Sequence, residues 1–236
     1  MSGDDDRLPS EPGREDVAAF LDKVARTPAI HTPGQRGRLM FAMDATASRE
    51  PSWDRACHIQ GEMFSETAAL GGLEVQLVFY RGFGECKSSP WVDSSEQLVR
   101  RMTAVRCLGG QTQIGKVLKH AIRETGKRRI NALVFVGDAM EEDVDAVCHL
   151  AGELGVLGVP MFVFHEGVDP VAGKAFRQFA KLTGGAYCSF DSSSATQLRE
   201  LLAAVAVYAA GGRRALVDYG RRSGGGAVAQ ITSQVK

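Results

Sequence analysis

The chain has 236 residues, of which 44% are hydrophobic and 24% are charged, as in an ordinary globular protein. Its 28 lysine and arginine residues balance its 28 aspartate and glutamate residues, so no net positive charge favours binding to nucleic acid or to an anionic membrane. The five cysteines are widely spaced and form no C-x-x-C pair, which argues against a disulfide framework and against a zinc site.

The first residues differ in composition from the rest of the chain. Residues 1–14 are rich in Asp, Pro and Gly and are predicted to be disordered. Residues 15–35 are predicted to form a short amphipathic helix followed by an arm rich in Pro and Gly. The acidic start is unlike a signal peptide, and the longest apolar run, 201–210, is too short to span a bilayer. We therefore expect a cytoplasmic protein that does not work in a membrane.

Between residues 36 and 210, short apolar runs alternate with segments of helical periodicity. Strands are predicted over 38–43, 73–80, 85–92, 130–136, 159–164 and 186–190. Helices are predicted over 51–70, 94–105, 114–126, 141–157, 172–182 and 194–208. This alternation predicts a doubly wound α/β domain, with a mainly parallel six-stranded sheet and helices on both faces.

Two segments depart from this regular pattern. The strand at 85–92 contains Pro90, which cannot donate a backbone hydrogen bond, so it is predicted to be an antiparallel edge strand. Residues 211–236 are rich in Gly, Arg and Ser and are predicted to be a flexible tail.

The first predicted strand ends in a group of side chains that carry oxygen. Asp44, Thr46 and Ser48 follow the apolar run 38–43 and form a D-x-T-x-S motif. A carboxylate and two hydroxyls are hard oxygen donors, which Mg²⁺ prefers. Open α/β sheets also bind their ligands in the crevice beyond the carboxyl ends of the strands. The motif therefore predicts a cation site at this edge of the sheet.

Two further oxygen donors occur downstream on suitable elements. Thr112 lies in a glycine-containing loop before a predicted helix, and Asp138 directly follows the buried strand 130–136. Neighbouring strands lie about 4.8 Å apart. If the strands that end at Asp44 and Asp138 are neighbours, their carboxylates can share one cation, directly or through water.

This order of motifs resembles the von Willebrand factor A domain family, over roughly residues 36–210. The metal-ion-dependent adhesion site of that family uses D-x-S-x-S, a threonine and an aspartate in the same order. The resemblance implies a Rossmann-like sheet of strand order 3-2-1-4-5-6. It implies a metal site formed by Asp44, Thr46, Ser48, Thr112 and Asp138.

The resemblance also implies a function. Mg²⁺ is the expected ion, with Mn²⁺ and Ca²⁺ as alternatives, and an open coordination position would accept a carboxylate from a protein partner. Thr46 stands where the family usually has serine, so that the hydroxyl is kept and a methyl group is added. Intracellular members of the family often work in multi-protein assemblies. We expect an intracellular protein-binding module and not an enzyme.

Residues close to the two strand ends are predicted to form the rim that contacts the partner. They are Arg49, Glu50, Trp53, Glu141 and Glu142. An exposed tryptophan beside an open metal position would be a good anchor. The alternatives are ordinary helix N-terminal chemistry for Glu141 and Glu142, and core packing for Trp53.

Other sequence patterns near these residues are typical of enzymes. Residues 110–116 match G-x-x-x-x-G-K, but Val117 stands where a nucleotide-binding P-loop has the serine or threonine that binds Mg²⁺. A phosphatase of the haloacid dehalogenase type would need D-x-D-x-T, and Thr46 replaces its second aspartate. The main alternative is a Mg²⁺-dependent phosphoryl-transfer or hydrolytic enzyme that uses the same crevice. A third is a von Willebrand factor A scaffold in which the Thr46 methyl blocks the metal.

Overall fold

The computed structural model describes residues 35–190 and 195–222. The predicted N-terminal disorder and nearly all of the predicted N-terminal helix and arm lie outside these residues. The strands are β1 Gly37–Asp44, β2 Leu73–Arg81, β3 Glu85–Ser88, β4 Ala132–Gly137, β5 Met161–Glu166 and β6 Ala186–Phe190. The α-helices are α1 Glu50–Ile59, α2 Gly61–Thr67, α3 Ser95–Thr103, α4 Ile114–Lys127, α5 Val144–Val156, α6 Pro170–Leu182 and α7 Ala195–Arg222. Short 3-10 turns, Ala47–Arg49 and Ala68–Leu70, flank α1 and α2.

The six strands form one sheet in the order β3-β2-β1-β4-β5-β6. All neighbouring pairs are parallel except β2 and β3, which are antiparallel. The predicted fold class and strand order are therefore confirmed. The edge strand is shorter than predicted: β3 ends at Ser88, before Pro90 interrupts the hydrogen bonding, and Val92 then forms an isolated bridge with Val75.

Helices cover both faces of the sheet because the strand residues alternate between two hydrophobic cores. In β1, Leu39, Phe41 and Met43 face one core, and Met40 and Ala42 face the other. The first core is completed by α1, α2, α3 and α7, and the second by α4, α5 and α6. Both faces of β1 are fully buried, which explains why its sequence is apolar throughout rather than alternating.

Helix α7 continues past the predicted end of the domain. Its chain is helical from Ala195 to Arg222 except at Gly212, where φ is 68° and ψ is −166°. The prediction of a flexible tail from residue 211 is therefore wrong for the helical residues that follow this break, and 223–236 lie outside the described residues. Within the described ranges, no helix is long and apolar enough to cross a membrane.

Helix α7 lies so close to the start of β1 that a side chain cannot fit between them. A Cβ atom added at Gly37 would lie 2.4 Å from the carbonyl oxygen of Ala209 and 2.5 Å from the Cα of Ala210. Such contacts are with backbone atoms, which cannot rotate away. Glycine at this position therefore permits the helix to pack directly on the central strand.

We expect Gly37→Ala to lower the free energy of unfolding by about 2–3 kcal/mol, because the new methyl group overpacks a backbone contact. Gly126→Ala is the matched control, since no atom lies within 4 Å of a Cβ at this exposed helical position. The control should be stabilised by about 0.5–1 kcal/mol through helix propensity alone. Urea unfolding measures both effects, and equal stability of the two variants would contradict the packing argument.

Candidate metal centre

The candidate site lies at the carboxyl ends of the two central strands. Strands β1 and β4 are parallel neighbours, with Met43 in register with Val136. The chain leaves β1 toward the helices of one face, and it leaves β4 toward the helices of the other face. The two connections diverge and leave a crevice at the point where open α/β sheets bind ligands. Asp44 and Asp138 therefore lie at the same crevice.

The D-x-T-x-S motif is held in a turn by its own hydrogen bonds. The Asp44 carboxylate accepts a 2.7 Å hydrogen bond from the backbone N–H of Thr46. The Thr46 and Ser48 hydroxyl oxygens are 3.4 Å apart. The Ser48 hydroxyl donates to the Asp138 carboxylate at 3.2 Å. Four of the five predicted ligands are thus connected by direct contacts across the ends of β1 and β4.

The loop that carries Thr112 is fixed by a close crossing of two chain segments. A Cβ at Gly110 would lie 2.2 Å from the carbonyl oxygen of Gly82, so only glycine fits at this crossing. The same oxygen accepts a 3.1 Å hydrogen bond from the Gln111 N–H. On its other side, the Leu108 N–H donates to the carbonyl oxygen of Ala45 at 3.0 Å. The loop therefore lies beside the D-x-T-x-S motif.

Two glutamates after β4 bind this loop. The Thr112 N–H donates to the Glu141 carboxylate at 2.9 Å, and the Glu141 N–H donates to the Thr112 hydroxyl at 3.0 Å. The Glu142 carboxylate accepts hydrogen bonds from the N–H groups of Ile114 and Gly115, at the start of α4. Both glutamates were predicted to form the partner rim, with the first turn of their own helix as the alternative. The alternative is wrong, because α5 begins only at Val144 and the two side chains connect Thr112 and α4 to the end of β4. Glu141 is exposed, and its place in the rim stays a prediction.

Asp44 is 1% exposed. Burial raises the pKa of its carboxyl group to about 6, and the nearby Asp138 carboxylate acts in the same direction, whereas the hydrogen bonds from Thr46 oppose the rise. Asp44 takes part in none of the salt bridges among the described residues. A cation bound at the crevice would relieve this unfavourable burial of negative charge.

The donor set fits a small divalent cation. Within residues 35–190 and 195–222, no group of three or more His, Cys, Asp or Glu side chains could hold a metal. A cation here would depend on the two carboxylates together with hydroxyl oxygens and water. Such oxygen ligands suit Mg²⁺ or Mn²⁺. Asp44, Asp138, Ser48, Thr46 and Thr112 are the groups that would hold it, and the Thr46 hydroxyl is placed with the others despite its extra methyl group.

The prediction that Trp53 belongs to an exposed rim is wrong. Its side chain is 2% exposed and lies in the core formed by α1, α3 and the sheet. The indole N–H donates to the carbonyl oxygen of Met102 at 3.0 Å, and the ring packs edge-on against Phe79. Trp53 therefore attaches α1 to α3. Of the other rim residues, Glu50 is exposed at the start of α1.

Arg49 is also buried, at 1% exposure, and it pairs with a residue that the sequence did not suggest. Its guanidinium contacts the Glu166 carboxylate, which also accepts a 2.5 Å hydrogen bond from the Ser52 hydroxyl. Glu166 ends β5, one residue beyond the register pair Gly137 and His165. In the sequence, the feature that could have identified Glu166 is a charged residue at the end of the predicted strand that follows the one ending at Asp138. A pocket of about 320 Å³ opens here, lined in part by Ser48, Asp138 and Val168.

Solved structures of known proteins share this arrangement of elements. The chain resembles a von Willebrand factor type A protein from Catenulispora acidiphila, with a TM-score of 0.59 and 16% identity over 72% of this chain and 42% of that one. It resembles the SpRpn10 VWA domain, with a TM-score of 0.55 and 16% identity over 71% of this chain and 94% of that one. The chain has a von Willebrand factor type A fold.

A third structure with the von Willebrand factor A fold adds a metal-binding example. Proximal thread matrix protein 1 from the mussel byssus, described with a zinc-occupied MIDAS motif, gives a TM-score of 0.58 and 17% identity over 72% of this chain and 48% of that one. This chain therefore spans less than half of the mussel and Catenulispora chains. The chain matches no protein-family model and no curated protein sequence. At these identities the likeness concerns the fold alone.

We expect Asp44→Asn to stabilise the protein when chelator is present. Asparagine keeps the acceptor for the Thr46 N–H but removes a buried charge whose pKa is raised from 3.8 to about 6. Because the folded state binds a proton more tightly than the unfolded state, wild type gains stability as pH falls from about 6 to about 4. The variant should be about 3 kcal/mol more stable than wild type at pH 7.5, and this difference should disappear by pH 4.

Urea unfolding in EDTA at pH 7.5, 6 and 4 measures this difference. Asp54→Asn, on the exposed side of α1, is the matched control and should show no such pH-dependent gain. If Asp44→Asn were no more stable than wild type at pH 7.5, the burial argument for Asp44 would be wrong.

Proposed function

We propose that this protein is a divalent-cation-dependent protein-binding module that docks an acidic residue of its partner at the crevice between β1 and β4. The observation that carries the proposal is the convergence of Asp44, Thr46, Ser48 and Asp138 in one chain of contacts, with Asp44 buried and in no salt bridge with any described residue. Mg²⁺ is the proposed ion, with Mn²⁺ and Ca²⁺ as alternatives. We also propose that the protein is not an enzyme.

The donor set supports a binding role. Two carboxylates cannot fill an octahedral shell, so hydroxyl oxygens and water would complete it. A cation held in this way, when bound, supplies a Lewis-acidic position to which an external carboxylate can coordinate. Lys116, which a nucleotide-binding loop would direct at phosphate, instead donates to the carbonyl oxygen of Gly84 and the amide oxygen of Gln113. This contact disfavours the nucleotide-binding alternative.

We propose that exposed apolar side chains on the loops bonded to the site supply the contact area that Trp53 does not. Phe83 is 85% exposed at the turn between β2 and β3, and Leu108 is about half exposed in the adjoining loop. The Leu108 N–H is hydrogen-bonded to Ala45 of the motif. Gly82, in the turn that carries Phe83, is hydrogen-bonded to Gln111 of the Thr112 loop. Val168 is exposed on the opposite side of the site. We propose that the partner presents its acidic residue between apolar side chains.

We propose a cytoplasmic location for this module. Cys57, Cys86 and Cys107 are free thiols, and burial raises the pKa of each to about 11. Protonated, partly buried thiols of this kind are typical of proteins in reducing compartments.

We expect wild type to bind one Mg²⁺ per chain and Asp44→Ala to bind none, because the variant loses the carboxylate at the centre of the donor set. Isothermal titration calorimetry with Mg²⁺ measures this, and circular dichroism checks that the variant is folded. Asp54→Ala is the matched control and should bind as wild type does. Unchanged Mg²⁺ affinity in Asp44→Ala would remove the metal assignment. Turnover of a phosphate ester that is lost in Asp44→Asn would support the enzyme alternative instead.

We expect peptides selected from a displayed library on the Mg²⁺-loaded protein to contain an Asp or Glu with an apolar residue within two positions. Phe83→Ser should weaken a selected peptide by about tenfold, as expected for the loss of an aromatic anchor. Val156→Ser is the control, since this valine is 89% exposed at the far end of α5 from the site. Peptide binding that persists in EDTA, or that is unchanged in Phe83→Ser, would contradict the proposed surface.

A further inference from the structure

Arg49 places a permanent positive charge beside the candidate metal centre. It follows the D-x-T-x-S motif directly, and its side chain is almost completely buried. One terminal nitrogen, Nη1, lies 3.9 Å from the Asp138 carboxylate. The other, Nη2, is in ion-pair contact with Glu166. The guanidinium therefore lies between a proposed metal ligand and a second carboxylate from the neighbouring strand.

The charge of Arg49 is only partly compensated. Its Nε and Nη2 atoms make no well-oriented hydrogen bond within the described part of the chain. Glu166 is shared, because the same carboxylate oxygen also accepts the Ser52 hydroxyl. Burying an ion pair of imperfect geometry usually costs more free energy than it recovers. Stability alone therefore does not account for an arginine at this position, and its approach to Asp138 indicates a role in the site.

Two cations that share one carboxylate repel each other. A divalent ion bound to Asp138 would lie near a guanidinium whose Nη1 is 3.9 Å from the same carboxylate oxygen that accepts the Ser48 hydroxyl. This repulsion is larger in a buried crevice than in water, because the effective dielectric constant is lower. Glu166 opposes it, since its negative charge lies against the far side of the guanidinium.

We propose that the positive charge of Arg49 lowers the cation affinity of this centre, and that the negative charge of Glu166 offsets this effect. Arg49 would be a residue that tunes the metal site without ligating the metal. The inference rests on the proposed metal-dependent function and goes beyond it, because it concerns two residues outside the ligand set. The inference predicts that removing the charge of Arg49 and removing the charge of Glu166 change the cation affinity in opposite directions.

The test compares two single variants of nearly unchanged shape. Arg49→Met keeps the aliphatic stem but removes the positive charge, and Mg²⁺ should bind at least about fivefold more tightly than to wild type. Glu166→Gln keeps the side-chain shape but leaves Arg49 uncompensated, and Mg²⁺ should bind at least about fivefold more weakly. The double variant should lie close to wild type. Calorimetric titration with Mg²⁺ measures the affinities, and titration with Mn²⁺ read from the free-ion paramagnetic resonance signal repeats them.

A purely structural role would weaken binding in both single variants, so that opposite shifts distinguish the inference from a structural role. Circular dichroism and thermal unfolding establish that each variant is folded. If Arg49→Met does not fold, Glu166→Gln and the charge-preserving Arg49→Lys are compared with wild type instead. Weaker Mg²⁺ binding in Glu166→Gln, together with binding within about twofold of wild type in Arg49→Lys, supports the inference. Tighter binding in Glu166→Gln overturns it.

The outcomes also separate this inference from the function on which it rests. Equal Mg²⁺ affinities in wild type, Arg49→Met and Glu166→Gln overturn the role of Arg49. If Asp44→Ala has lost Mg²⁺ binding in the same experiment, the assignment of the metal centre is still supported. Binding in Arg49→Met alone, with none in wild type at millimolar Mg²⁺, supports the inference. No binding of Mg²⁺ or Mn²⁺ by wild type or by Arg49→Met overturns the proposed metal-dependent function itself.

Discussion

The parallel pairing of β1 with β4 at the centre of the sheet is the constraint on which the candidate site depends. The register that pairs Met43 with Val136 brings the ends of the two strands together, and with them Asp44 and Asp138. Because both strands are buried on both faces, they cannot shift along each other without exposing apolar side chains to water. Hydrophobic burial therefore fixes the distance between two carboxylates that repel each other.

Several carboxylates gather around the buried Asp44, and the surrounding structure shows how their negative charge is distributed. The carboxylates of Glu141 and Glu142 accept backbone N–H groups of the Thr112 loop and the start of α4. Glu166 is paired with Arg49. Asp44 is buried and joins no salt bridge within the described residues, and burial raises its pKa although hydrogen bonds from Thr46 oppose the rise. A cation bound at the crevice would offset this buried negative charge at the head of the D-x-T-x-S motif.

The proposed roles of Arg49 and of the apolar rim have a common consequence for recognition. A centre weakened by a neighbouring positive charge gains affinity when a ligand brings a negative charge, and this gain is reciprocal. The cation and an acidic partner would then each strengthen the binding of the other. Phe83 and Leu108, exposed on the loops bonded to the site, would add apolar contact and distinguish a protein segment from a free carboxylate. Binding would require the metal, the acid and the apolar neighbours together.

Local patterns of the sequence determined the alternation of strands and helices, the antiparallel edge strand and the placement of Asp44, Thr112 and Asp138 at element ends. These features depend on hydrophobic periodicity and on turn chemistry within a few residues, which a single sequence displays directly. The resemblance to the von Willebrand factor A family added the strand order, and that order is confirmed.

Only the tertiary structure decided which side chains meet across distant segments. It placed Trp53 in the core and directed Glu142 to the start of α4 rather than to α5, the helix that follows it in the sequence. It paired Arg49 with Glu166, and it continued α7 beyond Gly212. A side chain's own neighbours in the sequence do not specify its partner when that partner comes from another strand or helix. Those contacts follow from sheet register and from the packing of helices on each face, and these are properties of the whole fold.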